Sequence, residues 1–341
     1  MPAEAPLTPK AAERLSRELT LQSDDLAARA LNSDWGRQLD GKQVKRWGDA
    51  MGRVLACRRD KEVLDWESGH HPSAPANDPA LLVIEVDGGR VQMTEKNEET
   101  GSRWREDKVA TISTYLAGDG QEREPQPLVT THVATMRPTE PFGRLVRLEA
   151  ERRGLRQAEQ VIALADAGNW TDPLFEREFN GFVRIVDWRH AQEHLWESAR
   201  AARGEDPKAV AALERRLETL LWNGRVKKVI EILEEESAKL GPPKEADGPE
   251  QPRRVLWRDV GYFRKNQDHM NYPEYRKRGW PIGSGVVESG VKQFNKRVKG
   301  TEQFWTEQGL EPILCLRALW LSQDDRWATY WGTRSAYKSA A

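Results

Sequence analysis

Two nearly continuous apolar runs, each closed by an aspartate, constrain this chain more than any other feature. LLVIEVD occupies 81–87 and QVIALAD occupies 160–166, with FVRIVD at 182–187 as a third run of the same kind. Apolar runs without alternation belong to strands covered on both faces. Strands of that sort need layers of helix around them, so the fold class is α/β. KVATISTYL (108–116) and LVTTHVATM (128–136) read as further strands. Asp87-Gly88-Gly89 reads as a hairpin turn, with RVQMTE behind it as the partner strand. A meander of strands comes first, and helices alternate with strands after it. That order predicts a mixed sheet, antiparallel on one side and parallel on the other.

The flanks read as helical. Thr8 can cap a helix that starts at Pro9, and residues 8–63 are helical throughout. LDGKQVKRWGDAMGRVLACRRD sets Val44, Trp47, Met51 and Leu55 at helical spacing after an Asp-Gly turn, an order like a helix-turn-helix. The loop at 67–79 is a boundary. Residues 140–158 form a charged amphipathic helix, and 188–240 are helical and polar. Residues 241–252, GPPKEADGPEQP, are a linker. An apolar, Trp-bearing helical region covers 306–331. These boundaries divide the chain into a helical region at 1–66, the first part of a core at 80–190, a helical insertion and linker at 191–252, and the completion of the core at 253–331.

Three acids stand where acids are uncommon. Asp87 and Asp166 close buried strands, and Glu288 opens a helix after the glycine turn in PIGSGVVESG. Ligands of α/β sheets gather at the carboxyl ends of strands, where the two aspartates would converge. A glutamate arriving on a later helix completes a set of hard oxygen ligands of the kind that suits Mg²⁺. Two such ions about 3.5–4 Å apart can activate a nucleophile and stabilise the leaving oxygen of a phosphodiester. Singly, each acid also has a plain reading: a hairpin start, a turn, and a first-turn residue favoured by the helix dipole. Two cysteines, Cys57 and Cys315, exclude a disulfide framework and a four-cysteine zinc site, and fit a reducing compartment. No apolar run is long enough to span a bilayer, and the first residues carry no signal-peptide core. The adjacent His70 and His71 have no further ligand at suitable spacing.

The segments VDGGR, LADAGNW, IVDWRHAQEHL, YFRKNQDHMNY, GWPIGSGVVESGVKQFNKRVKG and FWTEQGLEPILCLRALWLS occur in that order. Together they resemble the ISKra-type insertion-sequence transposases, relatives of the Mutator-like group, over about residues 81–331. The resemblance implies a ribonuclease H-like catalytic core with a helical insertion, flanked by helical N- and C-terminal regions. It implies an Asp-Asp-Glu triad at Asp87, Asp166 and Glu288 that binds two Mg²⁺ (or Mn²⁺) ions. It implies strand cleavage and strand transfer on DNA, with terminal inverted repeats and target DNA as partners. A homodimer or larger assembly on DNA, in the bacterial cytoplasm and associated with the nucleoid, follows from the same comparison. In such a core the stretch at 128–136 is either an extra strand or not a strand at all. Asp187 and His190 in DWRH match an accessory pair of the Mutator-like relatives, although Asp187 can equally cap a helix. Family members often have a longer N-terminal region with cysteine pairs. Here either residues 8–63 are a reduced end-recognition module or the reading frame is truncated.

The charge distribution fits a local grip on DNA. The whole chain has a net charge of −1. Residues 253–299 nevertheless hold twelve basic residues against four acidic ones, while 205–250 hold eleven acidic against eight basic. Val287, Val291, Phe294 and Val298 follow helical spacing toward a core, and Glu288, Lys292, Asn295 and Lys299 share another face. Lys292, Lys296, Arg297 and Lys299, with Arg276, Lys277 and Arg278, are therefore the candidate DNA contacts. The flanking glycines and Ser284 would let the backbone approach a phosphate. Two rival readings remain: a non-catalytic DNA-binding protein descended from a transposase, and a glycan hydrolase using paired carboxylates.

Overall fold

The structure is a computed structural model that describes residues 7–116, 125–300 and 303–339. Residues 1–6 of the N-terminal region and 301–302 of the C-terminal one fall outside the described residues. Three helices come first: α1 (Pro9–Leu21), α2 (Asp24–Trp35) and α3 (Gly41–Glu67). Thr8 caps α1 by accepting from Ala11 N, and Asp40 caps α3 by accepting from Gln43 N. The strands β1 (Leu81–Gln92), β2 (Trp104–Tyr115) and β3 (Val129–Thr135) follow, then α4 (Thr139–Arg152), β4 (Gln160–Ala165), α5 (Thr171–Glu178) and β5 (Val183–Val186). Next come α6 (Trp188–Arg203), α7 (Pro207–Trp222), α8 (Val226–Leu240), α9 (Pro252–Asn266) and the short α10 (Tyr272–Lys277). The chain closes with α11 (Gly285–Val298), α12 (Glu307–Leu321) and α13 (Arg326–Ser339). No helix among the described residues is long and apolar enough to cross a membrane.

The strand order is β3-β2-β1-β4-β5. β1 pairs antiparallel with β2 and parallel with β4; β2 pairs antiparallel with β3, and β4 parallel with β5. This is the mixed α/β sheet expected from the sequence, antiparallel on one side and parallel on the other, and helices α6–α9 follow β5 in the chain.

The meander itself differs from the sequence reading. Asp87-Gly88-Gly89 is not a turn. β1 runs straight through it, in unbroken register from Leu81 opposite Tyr115 to Gln92 opposite Trp104. A hairpin of the Asp-Gly type needs positive φ at its centre, and neither Gly88 nor Gly89 has it. The segment RVQMTE is thus the end of β1 and the start of the loop after it. The reversal lies at 93–103, where Asn97 accepts from Glu99 N and Thr100 N and Gly101 sits at φ +67°. With β1 counted once, the strand at 128–136 is the third of the meander. The helix expected over 140–158 stops at Arg152, and Gly154 at φ +90° turns the chain into β4.

Side chains alternate along β1 between two buried layers. Leu82, Ile84 and Val86 pack with Phe142 and Val146 of α4 and Leu174 and Phe175 of α5. Leu81 and Val83 face the other way, toward Ala191 and Leu195 of α6 and Phe263 of α9. Further along that second face, Val91 and Val109 meet Val287, Val291, Phe294 and Val298 of α11. The N-terminal helices share a core with the C-terminal ones: Leu15, Leu19, Val44 and Met51 pack with Leu316, Tyr330 and Trp331. α3 and α12 cross so closely that a β-carbon on Gly52 would lie 2.4 Å from the carbonyl oxygen of Pro312. Gly52→Val should therefore lower the denaturation midpoint, by about 1–3 kcal/mol of stability in urea titrations, as an overpacked helix crossing does.

Candidate active site

Asp166 and Asp187 directly follow the ends of β4 and β5, whereas Asp87, which the sequence reading set at a strand end, lies inside β1, which runs on to Gln92. The β1–β4 register reaches Glu85 opposite Leu164. Two residues further it sets Asp87 level with Asp166, just past the end of β4. Side chains at 81, 83, 85 and 87 share one face of β1, and 162, 164 and 166 share the same face of the sheet. Asp187 follows β5 directly, and its N–H donates to Ala165 O at 2.9 Å. The first helical turn of α11 lies against this face of β1.

A buried glutamate fixes that helix. Glu85 is fully buried in β1, and its Oε2 accepts from Val287 N at 2.7 Å and from Thr111 Oγ1 at 3.2 Å. A carboxylate on the first-turn N–H groups of a helix is favoured by both hydrogen bonding and the helix dipole. Glu288 is the next residue along. Ser284, just before the helix, donates its N–H to Asp187 Oδ2 at 3.0 Å, and its hydroxyl also contacts Asp187. The same hydroxyl lies 3.3 Å from Glu288 Oε1. Asp187 also caps α6, accepting from Arg189 N, and pairs with His190 Nδ1 at 3.5 Å, an ion-pair separation. Asp187 is thus the helix cap that one reading expected, and it also links His190 to the loop before α11.

The electrostatics are those of a crowded acidic site. Burial raises Asp87 to about 6; the Gly88 N–H hydrogen bond and His190 oppose the shift, while Asp166 and Glu288 add to it. Burial also raises Asp166, with Asp187, Asp172 and Glu106 adding to the shift and His190 opposing it. His190 moves the other way: the Asp187 carboxylate, against burial, lifts it to about 9. Burial pushes Asp187 up, but His190 and Ser284 outweigh it and hold the carboxyl below the ordinary range. At neutral pH an imidazolium therefore stands between Asp187 and Asp166.

Asp87, Asp166 and Glu288 form an all-oxygen set suited to Mg²⁺ or Mn²⁺. Among the described residues neither aspartate has a Lys or Arg ion partner, which fits carboxylates meant for a metal. Glu288 faces Lys292 at 3.6 Å. The three acids do not draw their oxygens into one cluster within 4.8 Å. Among the described residues that closeness belongs to His194, Glu197 and Asp259. Arg258 already neutralises that second group, with Nε 2.8 Å from Asp259 Oδ1 and a further bond to Glu197, while Ser198 binds the other oxygen of Asp259. It is an ion-pair network on α6 and α9 in which Asp259 is buried while Arg258 and Glu197 reach the surface.

The candidate DNA contacts divide. Lys292, Lys296 and Lys299 are exposed on α11, and Lys277 and Arg278 are exposed at the end of α10. Arg276 lies half-buried over the Trp222 ring at 3.6 Å from its centroid. Arg297 does not belong with them. It is 2% exposed, donates to Leu19 O and pairs with Asp24 at 2.8 Å. Helical spacing puts it beside the buried Phe294 and Val298, so it ties α11 to the N-terminal helices. His70 and His71 are exposed and coordinate no common site.

Two acids of the site were not singled out from sequence. Glu85 is the one charge inside LLVIEVD, a signal in plain view. Asp107 lies on β2 opposite Gly89, and burial, with Glu106 and Asp87 adding to it against the opposing Asp107 main chain, raises it to about 6.

No protein-family model and no curated protein sequence matches this chain. A solved structure titled "Drosophila P element transposase strand transfer complex" aligns over 95% of this chain and 94% of that one, with 11% identity and a TM-score of 0.41. A score that low carries no assignment, and the chemistry of the site rests on its own residues.

Two titrations follow. An acid whose folded pKa is raised costs stability as it ionises, here from the ordinary 3.8 up through about 6. Asp87→Asn should raise the melting temperature at pH 7 in EDTA and give no gain near pH 4. A histidine raised from 6.5 to about 9 contributes fully below 6.5 and loses its contribution as pH rises through 9. The His190 ring should titrate near 9 by NMR, and Asp187→Asn should return it to 6.5 or below.

Proposed function

We propose that the chain is a DNA transposase of the Asp-Asp-Glu type that cleaves and joins strands at the ends of an insertion sequence. The observation that supports this reading is the parallel pairing of β1 with β4, whose register runs to Glu85 opposite Leu164, two residues short of Asp87 and Asp166, on the sheet face that receives α11 and its Glu288. The resemblance of GWPIGSGVVESGVKQFNKRVKG and its companion segments to the ISKra-type transposases supports it from sequence.

In this reading Asp87, Asp166 and Glu288 hold two divalent ions, Mg²⁺ or Mn²⁺. When bound, such ions activate a water or a 3′-hydroxyl and stabilise the leaving oxygen of a phosphodiester. The protein's own groups do the rest. Glu85 and Ser284 orient the first turn of α11 and so aim Glu288. The His190 imidazolium balances part of the acidic charge around Asp166 and keeps Asp187 on Ser284. Lys292, Lys296 and Lys299, about one to three turns beyond Glu288, take DNA phosphates and hold the scissile bond against the acids. Lys277 and Arg278 extend that surface on α10. Terminal inverted repeats and target DNA are the substrates. Joining two ends calls for at least two subunits on DNA.

Incubation with inverted-repeat DNA in Mg²⁺ or EDTA tests the assignment. Wild-type protein should nick the ends in Mg²⁺ alone. Glu288→Gln should lose cleavage while retaining its fold and its salt-dependent DNA binding. Cleavage by Glu288→Gln at the wild-type rate sinks the triad. DNA binding by the wild type with no Mg²⁺-dependent nicking points instead to a non-catalytic DNA-binding descendant.

A further inference from the structure

We propose that Asp107 is a fourth metal-binding carboxylate, lying beside Asp87 and supplying an additional oxygen to a divalent cation at the strand ends. The inference rests on the metal-dependent reading of Asp87, Asp166 and Glu288, and extends it to a residue that the triad does not contain.

Asp107 is fully buried, yet neither of its carboxylate oxygens accepts a hydrogen bond from another described residue. Three other buried carboxylates have such partners. Asp187 is satisfied by Ser284, Asp259 by Ser198 and Arg258, and Glu149 by Arg326. A buried carboxylate with no protein partner has to be met by something from outside the chain.

Its position says what that is. Asp107 pairs across the β1–β2 ladder with Gly89, and Asp87 pairs with Val109. The two aspartates are therefore diagonal neighbours, and cross-strand partners project from the same face of a sheet. Gly89 makes the room: a β-carbon there would lie 2.5 Å from Asp107 Oδ1 and 2.8 Å from Oδ2. The carboxylate thus lies flat against β1, one step along from Asp87. The nearby Lys108 does not neutralise it. Residues 107 and 108 project from opposite faces, and Lys108 pairs with Glu106 at 3.1 Å. A buried oxygen donor with no ion pair among the described residues, diagonal to Asp87 across the β1–β2 ladder, matches the needs of a hard divalent cation.

The test is Mn²⁺ binding by calorimetry and by the loss of the free-ion paramagnetic resonance signal, on the full chain without DNA. Melting temperatures in EDTA accompany it. Asp107→Asn keeps the size of the side chain and removes its charge. It should melt in EDTA at or above the wild-type temperature and bind Mn²⁺ about tenfold or more weakly, at least the effect of removing a group that merely supports a ligand. Asp107→Ser is the second variant and should show the same loss. Wild-type affinity and stoichiometry in both variants overturn the proposal. Asp87→Asn separates it from the reading beneath it. If Asp87→Asn weakens Mn²⁺ and the Asp107 variants do not, the role of Asp107 falls alone. If wild-type protein binds no Mn²⁺, the metal-dependent reading falls and this proposal falls with it.

Discussion

The contact between Glu85 and the amide of Val287 holds the active face together. It joins a strand near the start of the sheet to a helix 202 residues later in the sequence. A fully buried carboxylate in an apolar strand is costly unless its charge is met. Here the helix N-terminus meets it with an amide and the favourable end of its dipole, and Thr111 adds a hydroxyl. The contact fixes the azimuth and the height of α11. Since Glu288 is the next residue, it also fixes where the third acid enters. Gly290 lets the helix settle, because a side chain there would press on Thr111 at 3.3 Å. Glu288 thus reaches the strand-borne acids on a helix that Glu85 holds.

A second tether reaches the same helix from the opposite side of the site. Asp187 holds Ser284 and His190, and the backbone N–H of Trp188 donates to Ile282 O at 2.9 Å. The loop before α11 is thus pinned to the β5–α6 junction, and the helix after it is pinned to β1. The two tethers bracket Glu288. Helices α6–α9, inserted between the second strand-end acid and Glu288 in sequence, return the chain to the sheet. The core they share with Leu81, Val83, Ile162 and Leu164 gives the returning chain a rigid base.

The parallel half of the sheet was legible because QVIALAD and FVRIVD are short, apolar and closed by acids that have nowhere else to go. The antiparallel half was misread at one place. Asp-Gly-Gly carries the local chemistry of a turn, and local chemistry was overruled by pairing with twelve residues of β2. The pattern beyond it, VQ and M after Gly-Gly-Arg, continues the strand and looked like a new one. Arg297 was misassigned for a related reason. A count of charges by sequence window ignores helical phase, and phase places Arg297 with Phe294 and Val298 toward the interior. Glu85 was visible as an oddity but meaningless without its partner. No local pattern announces that an amide 202 residues away will need an anion.

Helical phase and ion pairing also decide what the near-zero net charge means for a polyanion. In the basic stretch, Arg297 is spent on Asp24, Arg258 on Glu197 and Asp259, Arg264 on Glu234, and Arg278 on Glu274. Ion pairs of this kind neutralise their own positive charge locally, so they add little to the field that an approaching phosphate feels. Lys296 and Lys299 are exposed on the helix that carries Glu288, and Lys292 beside them is 75% exposed and only loosely drawn to Glu288 at 3.6 Å. Within that stretch the positive charge left for a polyanion therefore includes Lys292, Lys296 and Lys299, on and just beyond the helix that Glu85 orients, and Lys277 on α10. A charge that is fixed to the acid it serves aligns a phosphodiester with that acid. The same charge spread over the surface would only raise non-specific affinity.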